Sequence, residues 1–259
     1  MAVMEARVRT LFQYRAAALA ALGTRMFWGL IRTMVFAGFF AASTARQPIS
    51  PEQMTSYVWL GQAMLGMTLT WVDGDIRTMI RTGSVAYELA RPVDLYWFWF
   101  ARSFAARLAP TLIQGTPILL VAGLFLGLRP PPTLEAGLGW CLGTFLALLL
   151  SSAIGTIATI SLLWTVSGEG VSRLLPSLSY VLSGMVVPLP FWPSWVQGAM
   201  AALPFVGLID SPFRIYLGQF SGAALAGVLL HQVIWTVLLI AAGRCLLARG
   251  TRRLVVQGG

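Results

Sequence analysis

Lysine is missing altogether: all 18 basic residues are arginines. Histidine occurs once (His231), cysteine twice (Cys141, Cys245), and charged side chains make up only 10% of the 259 residues. Each shortage excludes a chemistry. A phosphate-binding loop of the Walker type needs a lysine on the β- and γ-phosphates, so the chain cannot bind ATP in that way. A zincin helix needs two histidines and a zinc ribbon four cysteines. Soluble domains carry about 25% charged residues, and disordered chains are poor in apolar ones. With 57% hydrophobic residues and a mean hydropathy of +0.76, the chain reads as an all-α integral membrane protein. The net charge of +9 does not point to nucleic acid, which wants cations gathered on one folded face. Here the arginines flank apolar runs.

A bilayer-crossing helix needs about 20 mostly apolar residues. Six stretches meet or approach that length: 26–45, 54–72, 104–127, 136–164, 174–190 and 222–247. With the N-terminus inside, the inner segments hold arginines 7, 9, 15, 25, 77, 81, 91, 102, 173, 244, 249, 252 and 253. The outer segments hold only Arg46, Arg129 and Arg214. The positive-inside rule then puts both termini in the cytoplasm. Residues 1–25 do not have the plan of a cleaved signal peptide. Within them, 4–22 form an amphipathic helix, with Val8, Leu11, Phe12, Leu19 and Leu22 on one face, expected to lie on the inner leaflet.

Few polar groups fall inside the apolar stretches. Arg32 reads either as a ligand-facing charge or as a side chain snorkelling to the headgroups, and snorkelling is the expectation for it and for Arg107. Pro110 and Pro117 invite kinks. Ser151, Gly155 and Thr159, at four-residue spacing, read as a close helix-packing face. His231 has no second histidine or carboxylate near it in sequence, so an interhelical hydrogen bond is expected rather than a proton relay. Cys141 and Cys245 fall toward opposite sides, too far apart for a disulfide.

Two connections carry most of the information. In the inner one, residues 73–102, Ile76, Met79 and Ile80 share a helical face, and Asp73 and Asp75 suit the first turn. Gly83 is placed to end that helix in a left-handed conformation, and Pro92 closes the following Glu88-Leu89 stretch. A connection this long suits docking on a cytoplasmic partner. The outer one, residues 185–221, is apolar but broken by Pro188, Pro190, Pro193, Pro204 and Pro212. Trp192 and Trp195 suit the membrane–water boundary, and the short pieces between prolines suit helices dipping into the outer leaflet. Asp210 and Arg214 form an i, i+4 pair.

On these residues the sequence resembles the permease subunits of type-2 ATP-binding-cassette (ABC) exporters, in particular the bacterial subgroup with paired permeases beside one ATPase. The resemblance spans nearly the whole chain, resting on the N-terminal helix, six spans, the run Ile80 to Pro92, and the outer series from Gly184 to Gly218. It implies a single transmembrane permease domain over 1–259 in the bacterial inner membrane. Asp73, Asp75, Ile76, Arg77, Ile80, Arg81, Gly83, Tyr87, Glu88, Leu89, Arg91 and Pro92 would form a coupling helix seated on a cytoplasmic ABC ATPase dimer. Gly184, Pro188, Pro190, Trp192, Pro193, Trp195 and Pro204 would form a re-entrant outer gate. The resemblance further implies a second six-span permease, identical or homologous. No cofactor is expected in this chain, ATP and Mg being bound by the ATPase, and the exported substrate is expected to be a hydrophobic, amphipathic or lipid-like compound. An ion- or proton-coupled secondary transporter is the alternative, but such carriers place acids mid-membrane and none of the nine here lies centrally in a span. An intramembrane enzyme would need a nucleophile–base pair or a metal set, for which only His231 could be a histidine base.

Overall fold

The computed structural model describes residues 15–45, 47–68, 72–89, 91–165 and 169–251, and their regular structure is entirely helical. In chain order the helices are α1 (Arg15–Ala42), α2 (Pro51–Ala63), α3 (Leu65–Thr68), α4 (Gly74–Thr82), α5 (Val85–Leu89), α6 (Leu95–Phe125), α7 (Leu134–Ser161) and α8 (Glu169–Leu182). A 3-10 turn (Leu189–Phe191), α9 (Ser194–Ala202), a second 3-10 turn (Pro204–Leu208) and α10 (Asp210–Tyr216) follow, before α11 (Gly222–Thr251). Of these, α6, α7 and α11 are long and apolar enough to cross a membrane, by length and composition.

Helix starts are written locally. Ser50 caps α2 in a reciprocal box with Gln53, and Pro51 supplies the fixed φ of the first turn. Asp94 and Thr133 cap α6 and α7 by accepting the N–H groups of Trp97 and Ala136. Helix α7 is the axis of the packing, touching α3, α6, α8, α10, α11 and the second 3-10 turn. Most of it is buried, whereas α6 and α11 remain largely exposed. Leu112, Leu120 and Leu124 of α6 and Val233, Val237 and Leu238 of α11 form apolar outer surface, which in this composition calls for lipid or protein cover. Ser151, Ser152, Gly155, Thr156 and Thr159 lie on the buried face of α7, in keeping with a close-packing stripe.

Several boundaries differ from the sequence reading. Residues 15–22 continue without a break into the first long helix, because no proline interrupts the run to Ala42; residues 1–14, with the rest of the expected interfacial helix, lie outside the described residues. The second apolar stretch breaks at Met64. Ser151 of α7 donates to the Met67 carbonyl just beyond, at 2.6 Å, partnering backbone near the break. Helix α6 begins at Leu95 rather than 104, at the cap offered by Asp94. Helix α8 ends at Leu182 rather than 190, where Gly184 turns the chain at φ +84°.

Candidate functional site

The segment α4–α5 is fastened to the bundle at its start. Asp73 caps α4, accepting from the N–H groups of Asp75 and Ile76 at 3.0 and 3.2 Å. The same carboxylate receives Nε and Nη2 of Arg102 on α6 at 3.1 and 3.2 Å, and Arg102 Nη2 also reaches Asp75 at 3.0 Å. The Asp73 N–H donates to Thr159 of α7. Gly83 ends α4 in the left-handed conformation, φ +76°. Ile76 and Val85 enter an apolar cluster with Tyr96, Trp99 and Phe100 of α6, Ile160 of α7 and Leu247 of α11, with Met79 and Ile80 packed against it.

What remains outside is the candidate docking surface. Asp75, Arg81, Gly83, Tyr87, Arg91 and Pro92 are exposed, Tyr87 to 79%, and Arg77 is half-buried. The side chain of Leu89 lies outside the described set. Glu88, grouped with the docking residues by the sequence reading, turns inward. It is 6% exposed, and its Oε2 accepts from Trp99 Nε1 at 2.8 Å. Its part is to hold α5 against α6. Glu88→Ala leaves that indole N–H unpaired, a loss of about 1–3 kcal/mol. The expected result is faster hydrogen exchange across 85–89 in Glu88→Ala, and little change in Glu88→Gln, which keeps an acceptor oxygen.

Arg107 and Arg32, both expected to snorkel, instead hydrogen-bond within the bundle. Arg107 is 4% exposed. Its Nη1 donates to the Ser103 carbonyl at 2.8 Å and its Nε to Ser151 Oγ at 2.9 Å. Gly155 makes the room: a Cβ there would collide with Nη2. Arg32 of α1 donates Nη2 to the carbonyls of Met185 and Val186. These carbonyls lie where α8 has ended and helical partners are gone, so the guanidinium satisfies backbone that a broken segment exposes.

The broken segment is organised around Asp210, which is 0% exposed. Its Oδ1 accepts from the Leu189 N–H at 2.8 Å and lies 3.3 Å from the Tyr57 hydroxyl, which also donates to the Gly184 carbonyl at 3.0 Å. Its Oδ2 pairs with Arg214 at 3.4 Å, and its N–H donates to the Ser183 carbonyl at 2.9 Å. The i, i+4 pair with Arg214 was visible in the sequence; Tyr57 and Leu189, 153 and 21 residues away, were not. Pro188 and Pro193 stand at the starts of the first 3-10 turn and of α9, and Pro204 opens the second turn. Trp192 donates to the Val187 carbonyl, and Pro190 and Trp192 carbonyls accept from Gln197. Trp195 is 82% exposed, as suits a ring at a membrane boundary.

Sequence reasoning also missed Gln232. Fully buried on α11, it donates to the carbonyls of Gly143 on α7 and Gly207 in the second 3-10 turn, at 3.0 and 2.7 Å. His231, one residue earlier and about 100° around the helix, makes no such bond: its Nε2 has no partner among the described residues, and its ring meets Trp235 edge-on. The interhelical bond expected of the histidine is made by the amide beside it. Cys141 and Cys245 are free and exposed.

These features define a helical membrane protein whose buried polar groups fasten one segment of backbone to another. Among the described residues no cluster of His, Cys, Asp and Glu is placed to hold a metal ion. The chain belongs to the ABC-2 family of transporter proteins, whose model, described as ABC-2 family transporter protein, matches residues 50–258. It is therefore a membrane permease of an ABC transporter, a component that works with an ABC ATPase. No curated protein matches the sequence.

Proposed function

We propose that this chain is one half of the membrane pathway of an ATP-driven bacterial exporter, driven through α4–α5 by a cytoplasmic ATPase dimer. In this reading α1, α2–α3 and α8 join α6, α7 and α11 as the six crossings, in the inner membrane with both termini in the cytoplasm. A second permease, a copy or a homologue, completes the pathway. Residues 185–221 form the outer gate, the substrate is hydrophobic, amphipathic or lipid-like, and ATP and Mg belong to the ATPase. The distribution of arginines supports the orientation. One observation carries the proposal: α4 is clamped to α6 by Asp73 and Arg102 while Arg81 and Tyr87 stand exposed. A lever needs such an arrangement, rigid toward the spans and open toward the partner.

The test uses the chain co-expressed with its ATPase and reconstituted in liposomes. Exposed aromatic and arginine anchors dominate interface energies, and their loss costs about 2 kcal/mol or more. Tyr87→Ala and Arg81→Glu are each expected to weaken ATPase capture by about tenfold or more and to lower substrate-stimulated ATP turnover. The thermal midpoint of the permease should not move, because neither side chain is buried. Unchanged capture and turnover in both variants would overturn the proposal.

A further inference from the structure

No regular helix runs between Leu182 and Leu189, so the backbone carbonyls there need partners from elsewhere. Taken in chain order, Ser183 accepts from the Asp210 N–H, Gly184 from the Tyr57 hydroxyl, Met185 and Val186 from Arg32 Nη2, and Val187 from the Trp192 indole. The donors fall into three groups. Helix α10 supplies the first and the segment itself the last. The three carbonyls in the middle are held from α1 and α2.

Helices α1 and α2 are tied into one body. Gly29 lets Trp59 lie so close that an added Cβ would collide with its ring, and Trp59 is wholly buried. Arg25 of α1 donates to the Gln62 carbonyl of α2 at 3.3 Å. Tyr57 and Arg32 are therefore carried together. Met185 packs on the same pair: it is 1% exposed, and its Cε and Sδ lie 3.2 and 3.3 Å from where a Gly61 Cβ would stand.

Arg32 differs in kind from the other donors. A neutral group would satisfy one carbonyl without the cost of withdrawing a charge from water. The guanidinium reaches two carbonyls at once, and charge-assisted bonds are about twice as strong as neutral ones. Letting go also leaves a charged group in an apolar span without those acceptors, which costs more than releasing a neutral donor.

We propose that Arg32 is the latch of the outer gate. It is a positioning residue that holds the backbone at Met185 and Val186 closed, and releases it when α1 and α2 move together against the end of α8. This deepens the exporter reading and rests on it for the naming of 185–221 as an outer gate. The latch itself is tested without any ATPase, so its failure and the failure of coupling through α4–α5 are separable.

The experiment introduces Met185→Cys into the full-length chain, with Cys141 and Cys245, its only cysteines, replaced by serine. Its reaction with a membrane-impermeant methanethiosulfonate reagent is timed in right-side-out and in inside-out membrane vesicles. A thiol at this buried position reacts from the opened segment, so the rate follows the open population. Arg32→Met is expected to raise the rate in right-side-out vesicles about tenfold or more, the scale of charge-assisted bonds. Arg32→Lys, which keeps a cation, should recover part of the slow rate. A second reporter, Ala153→Cys on the buried face of α7, should react no faster in Arg32→Met. An unchanged rate at Met185→Cys overturns the proposal, as does an equal rise at both reporters. If lysine recovers nothing, the cation is not what holds the segment, and the proposal fails. A rise in inside-out vesicles alone keeps the latch and overturns the outer placement of the segment. Should Arg32→Met fail to fold, Arg32→Gln takes its place, with a smaller rise expected and no rise overturning the latch.

Discussion

Asp210→Ala is expected to lower the unfolding free energy of the purified chain by about 3–5 kcal/mol, the loss that follows when one partner of a buried ion pair is removed. The carboxylate is wholly buried and serves Leu189 N–H, Tyr57 and Arg214 together. Alanine strands the Leu189 N–H and leaves Arg214 leaning on Gln219 and the Phe220 ring alone. Asp210→Asn keeps an oxygen for Leu189 but loses the charge, and should fall between. The comparison is Asp94→Ala, which loses a roughly half-exposed pair with Arg244, contributing about 1 kcal/mol or less, together with the cap on α6, contributing about 1 kcal/mol. Thermal unfolding in detergent, followed by tryptophan fluorescence, reads all three. Equal shifts for Asp210→Ala and Asp94→Ala would remove Asp210 from the centre of the broken segment.

Gly184→Ala is expected to cost nearly as much, by a different route. The residue sits at φ +84°, where a side chain is disfavoured by about 1–2 kcal/mol. A Cβ there would stand 2.9 Å from both Asp210 Cβ and the Tyr57 hydroxyl, adding an overpacking loss of about 1–3 kcal/mol. Gly83→Ala separates the two contributions. Its φ is +76°, yet nothing lies within 4 Å of an added Cβ, so only the backbone penalty of about 1 kcal/mol remains. Tyr57→Phe removes one of the colliding atoms. The double variant Gly184→Ala with Tyr57→Phe should therefore lose less stability than the two single losses added together. Strict additivity would place Tyr57 elsewhere.

What the sequence made legible is local or compositional. Scarce charge and long apolar runs gave the membrane class. Asp73 as a cap, Gly83 as a left-handed terminator and the apolar face of Ile76, Met79 and Ile80 all follow from spacing within one turn or two. The other residues depend on partners that the local pattern does not reveal. Arg32 and Arg107 were assigned by depth along a helix, and depth says nothing about which way a side chain faces. Arg32 meets carbonyls 153 and 154 residues away, and those carbonyls need partners only because α8 stops early. Glu88 enters the docking set through the family resemblance alone, and Trp99, eleven residues on, holds it inward. Gln232 was passed over for His231, since the histidine has the richer chemistry. The helix turns the amide, not the ring, toward α7.

The convergence on Asp210 also sets how the broken segment can move. Tyr57, Ser183, Leu189 and Arg214 come from four separate stretches and meet at one residue. A partial displacement breaks one of these ties while leaving the others loaded, and each stranded group in a dry interior costs about 1–3 kcal/mol. The intermediate positions are therefore the expensive ones. The segment behaves as a bolt rather than a spring: small pushes from the rest of the molecule leave it where it is, and only a push above a threshold moves it, all at once.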